Sequence, residues 1–279
     1  MKVAVTGATG FIGRYVVEEL LRQQAEVVAT SSRSPAAGVF DERVRHVPLD
    51  LATADDAFER FGRPDAVIHL AWAGLPNYKS THHYETHLAE QYRFLKQLVV
   101  AGLPSLLCIG TCFEYGMRSG ELTEDLPADP QNPYGFAKDA LRRELMFLRS
   151  STGFAFTWVR LFYMYGERQA ANSLYPQLMA AGRSGQTSFR MSRGEQLRDY
   201  LPVTQIAAHI AGLALRCPNA GIVNVCSGRP VSVRALVEQW LVDNGWTLQL
   251  ELGFYPYPDY EPMAFWGSNR RLTSLLGGS

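Results

Sequence analysis

Short apolar runs alternate with amphipathic segments along much of the chain. KVAVT (2–6), EVVAT (26–30), DAVIHLA (65–71), SLLCIG (105–110), FTWVRL (156–161) and GIVNVC (221–226) are rich in β-formers and mostly unalternating. Each is bounded by Gly, Pro or charge, the pattern of a strand buried on both faces. Between them, segments near 12–23, 84–101, 134–150, 203–216 and 231–243 place apolar residues at helical spacing. Strand and helix in turn predict βαβ units, and hence an α/β fold on a doubly wound parallel sheet. The regularity fades after about residue 165 and again after 245, where Pro and aromatics crowd together (GFYPYPDYEP). A smaller C-terminal lobe is expected there. The division read from the pattern is 1–165 with about 200–226 for the sheet domain, and 166–199 with 227–279 for the lobe.

Composition narrows the options. A chain of 279 residues, 47% hydrophobic, can bury a large core as one big domain or two coupled ones. Lys plus Arg is 27 and Asp plus Glu is 27, with no basic run, so nucleic acid is not an expected partner. Lys occurs only at 2, 79, 96 and 138. The four Cys form no CxxC pair and no zinc spacing, which fits reduced thiols in a cytoplasmic protein. The N-terminus runs directly into a strand without the length of a signal peptide, and no stretch is long and apolar enough to span a membrane.

Two stretches carry chemistry. VAVTGATGFIG sets Gly7, Gly10 and Gly13 between the first strand and first helix. Small residues there let the backbone approach a pyrophosphate, and the helix N-terminus offers it free N–H groups and a positive dipole end. The loop predicts a Rossmann-type dinucleotide site. The second strand ends in ATSSR, where an acidic residue would favour NAD. Ser31, Ser32 and Arg33 suit a 2′-phosphate instead, so NADP(H) is the expected cofactor, with NAD(H) the other possibility. Asp50 and Leu51, after a third strand, are placed near the adenine. Further on, NPYGFAKDALRREL begins with a capping Asn132 and Pro133 at the first helical position. Tyr134 and Lys138 are then four apart on one helix face, where an ammonium lowers the cost of a phenolate. This helix follows the strand that ends in GTCFEYG.

Taken together these segments resemble the extended short-chain dehydrogenase/reductase family of nucleotide-sugar epimerases, dehydratases and reductases. TGATGFIG is similar to the family's cofactor loop, IHLAWA to its fourth-strand segment, TCFEYG to its Ser/Thr-x-x-x-Tyr-Gly strand end, and YGFAK to its Tyr-x-x-x-Lys. VRLFYMYGE, QLRDYLPV and GIVNVCSG resemble later passages, so the likeness covers nearly the whole chain. The resemblance implies that Gly7, Thr9, Gly10, Phe11, Ile12 and Gly13 bind cofactor, with Leu70, Ala71 and Trp72 lining it. It implies Thr111 as the hydroxyl on the reacting sugar oxygen, Tyr134 as the acid/base and Lys138 as its tuning residue and ribose contact. Arg198 and Asn224 match positions that often hold the nucleotide diphosphate, although Asp199 could pair with Arg198 and Asn224 could satisfy a strand end. Leu75, Asn77, Cys112, Phe113, Tyr163 and Asn172 are further expected substrate contacts. The lobe becomes a nucleotide-sugar lobe, and the helices near 84–101 and 134–150 the family's homodimer surface.

Departures from the family pattern narrow the reaction. The family's 4,6-dehydratases keep an Asp and a Glu directly after the catalytic Thr; here Cys112 and Phe113 stand there. A related reductase that also epimerises GDP-sugars has a Cys base two residues after the hydroxyl. Cys112 is one residue after, which on a continuing strand points it to the opposite face. Glu114 is expected to face solvent. Tyr163 and His87 replace Asn residues of the family. His83 and His87, four apart, have no third ligand placed beside them, so no metal is expected. The reading that results is an NADPH-dependent reductase, reversibly a dehydrogenase, of a nucleotide-linked 4-keto-6-deoxyhexose. The alternatives are a 4-epimerase with retained NAD and a non-catalytic NADP(H)-binding protein.

Overall fold

The computed structural model describes residues 1–32, 38–216 and 218–277. Among them, seven strands form one sheet. Five are β1 (Lys2–Thr6), β2 (Glu26–Ser31), β3 (Arg45–Pro48), β4 (Ala66–His69) and β5 (Ser105–Thr111), followed by the strands Ala155–Leu161 and Gly221–Val225. Their spatial order is β3-β2-β1-β4-β5, then Ala155–Leu161 and Gly221–Val225, with every neighbouring pair parallel. The order reverses between β1 and β4, and ligands of such sheets bind at the strand ends beside that reversal.

The unalternating runs are explained by two covered faces. Val3 and Val5 of β1 join one core cluster while Ala4 joins the other; Leu107 and Ile109 of β5 are divided in the same way from Leu106 and Cys108. Helix α1 (Phe11–Arg22) and the helix Val203–Arg216 cover the first face. After the short α2 (Ala57–Arg60), helices α3 (Leu88–Val100) and α4 (Pro133–Thr152) cover the second. All five expected helices and six expected strands form within a few residues of their expected ends.

Beyond the main sheet the chain is built differently. Helices Leu174–Arg183 and Val233–Asn244 pack around Trp240 in a third cluster with Leu178, Phe189 and Val237. The strands there are two or three residues long and pair across distance, as Ser188–Arg190 does with Gln249–Glu251. The strand Phe265–Gly267 returns to pair with Gly120–Leu122, just beyond the GTCFEYG turn. No described helix is long and apolar enough to cross a membrane.

Candidate active site

The glycine loop is folded too tightly for side chains. Gly7 has φ +67°, and a Cβ on it would lie 2.8 Å from Ala71 N; one on Gly13 would lie 2.2 Å from Gly7 O. Arg14 Nε donates to Thr9 O at 3.1 Å and holds the loop's far side. Gly10 caps α1 without a side-chain acceptor, so the first N–H groups of the helix stay open to an anion. From the loop a cavity of about 420 Å³ runs past Thr9, Ser31, Ser32, Asp50, Leu51, Leu70 and Ala71, continuous with a second of about 420 Å³ through Gly7, Gly10, Leu70 and Trp72. Phe11, Ile12 and Gly13 line the second. A glycine-walled cradle, uncapped N–H groups and an elongated cavity fit a dinucleotide. Ser31 Oγ is 2.9 Å from His46 Nε2, and Asp50 Oδ1 accepts from Ala52 N at 3.0 Å. Arg33 lies outside the described residues.

The second cavity holds Thr111, Tyr134 and Lys138 together. β5 ends at Thr111 and the chain enters a 3₁₀ turn, Cys112–Tyr115. Thr111 Oγ1 accepts from Phe113 N at 3.3 Å and Thr111 N donates to Glu114 Oε1 at 2.9 Å, a reciprocal cap. Asn132 caps α4 by accepting from Gly135 N at 2.8 Å. Gly135 is needed because a Cβ there would meet Phe113 O at 2.8 Å; without one, the helix start rests on the turn. That contact brings Tyr134 to Thr111. Lys138, one turn on, donates from Nζ to Ile109 O at 2.8 Å.

The turn corrects two expectations. Because the strand stops at Thr111, alternation does not carry Cys112 to the far face; it lines the same cavity. Burial pushes its thiol up, so it forms wall and not thiolate. Glu114 does not face solvent. It is fully buried, accepting from Arg160 Nε at 2.7 Å and Trp158 Nε1 at 3.0 Å as well as from Thr111. Burial also raises Tyr134 well above the usual phenol value and lowers Lys138 to about 8. The expected lowering of Tyr134 by Lys138 is not seen; burial, with Tyr78 and Glu114 nearby, sets the direction.

Phe113 meets Tyr78 edge-on at 5.0 Å between ring centres, and both line the cavity with Leu75 and Tyr163. Tyr78, like Leu75, is an expected sugar contact of the AGLPNY segment; Pro76 beside them is not marked by any period in that loop. Asn77 is exposed and lines none of the described cavities; its carbonyl oxygen instead faces His83. His83 and His87 are buried, His83 between Trp72 and Asn77, and His87 Nδ1 3.2 Å from Glu90 Oε2.

Tyr163 also walls a third cavity, about 490 Å³, lined by Asn172, Gln196, Arg198 and Glu261 among others. Arg198 pairs with Glu261 at 3.1 Å and not with Asp199, which accepts from Ser227 N and Gly228 N. Glu261 also accepts from Tyr163 Oη, and burial raises its carboxyl to about 7. No motif or period marks it within GFYPYPDYEP. Asn224 is a correction. It is fully buried, accepting from Tyr115 Oη at 2.8 Å and donating to Leu122 O at 2.9 Å, and lines none of these cavities. Its amide is used inside the fold.

Residues 3–226 match the model of the NAD dependent epimerase/dehydratase family. The chain belongs to that family. It is an NAD(P)-dependent oxidoreductase of the extended short-chain dehydrogenase/reductase type. It is 28% identical to a dTDP-6-deoxy-L-talose 4-dehydrogenase (NAD(+)) of Aggregatibacter actinomycetemcomitans, over 96% of this chain and 100% of that one. It is also 28% identical to a dTDP-6-deoxy-L-talose 4-dehydrogenase (NAD(P)(+)) of Kitasatospora kifunensis, over 92% and 83%. Among solved folds, a UDP-N-acetylglucosamine 4-epimerase from Methanobrevibacter ruminantium M1 superposes with TM-score 0.87 at 22% identity, covering 99% of this chain and 91% of that one. That last likeness concerns the fold alone. In this family member the Gly loop, the Thr-Tyr-Lys cluster and the sheet reversal meet at one edge.

Proposed function

We propose that the protein is an NADPH-dependent reductase, reversibly a dehydrogenase, of a nucleotide-linked 4-keto-6-deoxyhexose. One observation supports this most: among the described residues lining the cavity around Thr111, Tyr134 and Lys138 there is no carboxylate. Eliminating water from a sugar calls for an acid and a base besides the Tyr. The one acid of the strand-end turn, Glu114, is held under Arg160 and Trp158. Reduction of a ketone needs only a proton donor beside the hydride. The wall of Leu75, Pro76, Phe113 and Phe162 is suited to a C6 methyl group. The two talose dehydrogenase relatives are named for the reverse reaction, oxidation at C4 of a 6-deoxy sugar.

When bound, the nicotinamide supplies the hydride that reaches C4. Burial keeps Tyr134 protonated and ready to donate to the C4 oxygen. Thr111 gives that oxygen a second hydrogen bond, its own oxygen being oriented by Phe113 N–H. Lys138 carries positive charge close to the phenolate left behind, so the proton leaves at lower cost. Arg198, released from Glu261, faces the diphosphate in the third cavity. Residues 1–165 with about 200–226 then form the cofactor half, 166–199 with 227–279 the nucleotide-sugar lobe, and α3 and α4 a homodimer surface.

The test is incubation with NADPH and dTDP-, GDP-, CDP- and UDP-linked 4-keto-6-deoxy sugars, following loss of reduced-nicotinamide absorbance. One member of the panel is expected to turn over, and Tyr134→Phe to lower kcat by about 100-fold or more. Purified protein holding stoichiometric NAD(H), interconverting 4-epimers without net NADPH consumption, would overturn the reductase in favour of the epimerase. The NADPH preference rests on Ser31 and Ser32 at the cavity edge. It predicts kcat/KM for NADPH at least about tenfold above that for NADH; the opposite ratio refutes it.

A further inference from the structure

Lys138 has a neighbour that its proposed role does not require. Its Nζ lies 4.0 Å from the ring centre of Trp72, in addition to its bond with Ile109 O. Trp72 follows β4 in an irregular segment, so the sheet does not fix its ring. Something else does. Trp72 Nε1 donates to His83 Nδ1 at 3.0 Å, and His83 Nε2 is 2.9 Å from Asn77 O. With Nδ1 accepting, the ring proton sits on Nε2 and is donated to that carbonyl. His83 is buried and opens a π-helix, His83–His87, which runs into α3. Such turns arise from a local irregularity in the helix and cluster at functional sites. Gly74, at φ +83°, lets the loop close on the same ring: a Cβ there would lie 3.3 Å from His83 Cε1. Both rings border Tyr134, His83 at 5.3 Å and Trp72 at 6.0 Å between centres.

We propose that Trp72 and His83 are a positioning pair, in which His83 fixes the Trp72 indole and the indole face holds the Lys138 ammonium beside Tyr134. The assignment rests on Tyr134 and Lys138 being the catalytic pair. The physical reason is desolvation. Burial disfavours the charged Lys138, and an aromatic face returns part of what water would have supplied. The groups around Lys138 are His69 from β4, Cys108 from β5, Glu114 from the turn and Tyr134 from its own helix. His83 is faced by His82, His87 and Lys138, and burial keeps it neutral, so Nδ1 stays an acceptor.

The test reads Lys138 directly. The chain has Lys only at 2, 79, 96 and 138, so protein grown with 13Cε-lysine gives a small set of signals, and Lys138→Arg assigns the fourth. In the wild type Lys138 titrates below the other three. In Trp72→Leu and His83→Phe its midpoint falls further, by about half to one and a half pH units. Trp72→Phe keeps an aromatic face and His83→Asn keeps an acceptor near Nδ1; both are expected to stay close to wild type. If Trp72→Leu does not fold, the two His83 variants decide. Lys138 titrating alike in wild type, Trp72→Leu and His83→Phe overturns the proposal. The measurement needs no substrate, so a failed NADPH assay leaves it standing. Should turnover be found, the pH profile of kcat moves with the same midpoint, while KM for the nucleotide sugar stays within about threefold.

Discussion

Glu114 and Thr111 sit three residues apart, yet only the placement of Thr111 was legible in the sequence. That placement is local: a hydroxyl at a strand end, beside a helix bearing Tyr134 and Lys138. Glu114 was not, because its role depends on Arg160, 46 positions along the chain, and on a turn that folds the strand end inward. Glu261 was hidden in the same way, paired with Arg198 from a distant strand. A letter pattern records neighbours in sequence, and both carboxylates are defined by neighbours in space. Removing one partner of a buried pair leaves the other charge unpaired in low dielectric. Glu114→Ala is therefore expected to cost about 3–5 kcal/mol of stability, measured by urea unfolding. Replacing both members together, as Glu114→Leu with Arg160→Met, is expected to cost less than Glu114→Ala alone. A larger loss in the double variant would show that the pair stabilises the fold beyond satisfying its own charges.

At the scale of elements, strands and helices of the main sheet were legible because each buries a long, continuous surface. The short strands outside that sheet were not, because they are too brief to show a period and pair with segments far away in sequence. β4 shows what burial of a whole strand imposes on its polar end. Its last residue, His69, is fully buried against Thr6 Oγ1 at 2.9 Å. Burial, aided by the Lys138 charge, lowers its pKa to about 3. The unfolded chain binds that proton near pH 6.5 and the folded one does not, so between these values unfolding takes up a proton. The stability due to neutral His69 is complete above 6.5 and is lost as pH falls toward 3. Equilibrium unfolding is expected to show a slope of about 1.4 kcal/mol per pH unit from this group alone in that window. His69→Asn, which can keep a bond to Thr6, should reduce the slope by about one proton. An unchanged slope would mean that His69 is protonated in the fold.

At the scale of the whole molecule, the three cavities are joined through Trp72 and Tyr163. The outer side of α3 and α4 lies apart from them and carries an unusual amount of apolar surface. Phe147 is 80% exposed, with Phe136 at 51% and Met146 at 45% on the same helix. Phe136 and Phe147 are eleven residues apart, close to three helical turns, and so lie on one face. Tyr84, at the start of the neighbouring helical segment, meets Phe136 edge-on at 5.9 Å and extends the patch. Two large rings in water on one helix stripe are costly for a monomer with no net charge to keep copies apart. The homodimer proposed above would cover this surface with a second copy. Light scattering on the eluting protein is expected to give twice the chain mass of 31.1 kDa. Phe147→Asp places a carboxylate where the copies would meet, and a like-charge pair there disfavours closure. That variant should elute as a monomer with its thermal midpoint lowered, because dissociation removes mass-action stabilisation. Because Phe147 lines none of the described cavities, turnover per chain should change little at concentrations where both forms are folded. A wild-type monomer, or a Phe147→Asp variant still dimeric at micromolar concentration, would move the interface elsewhere and leave the exposed stripe unexplained.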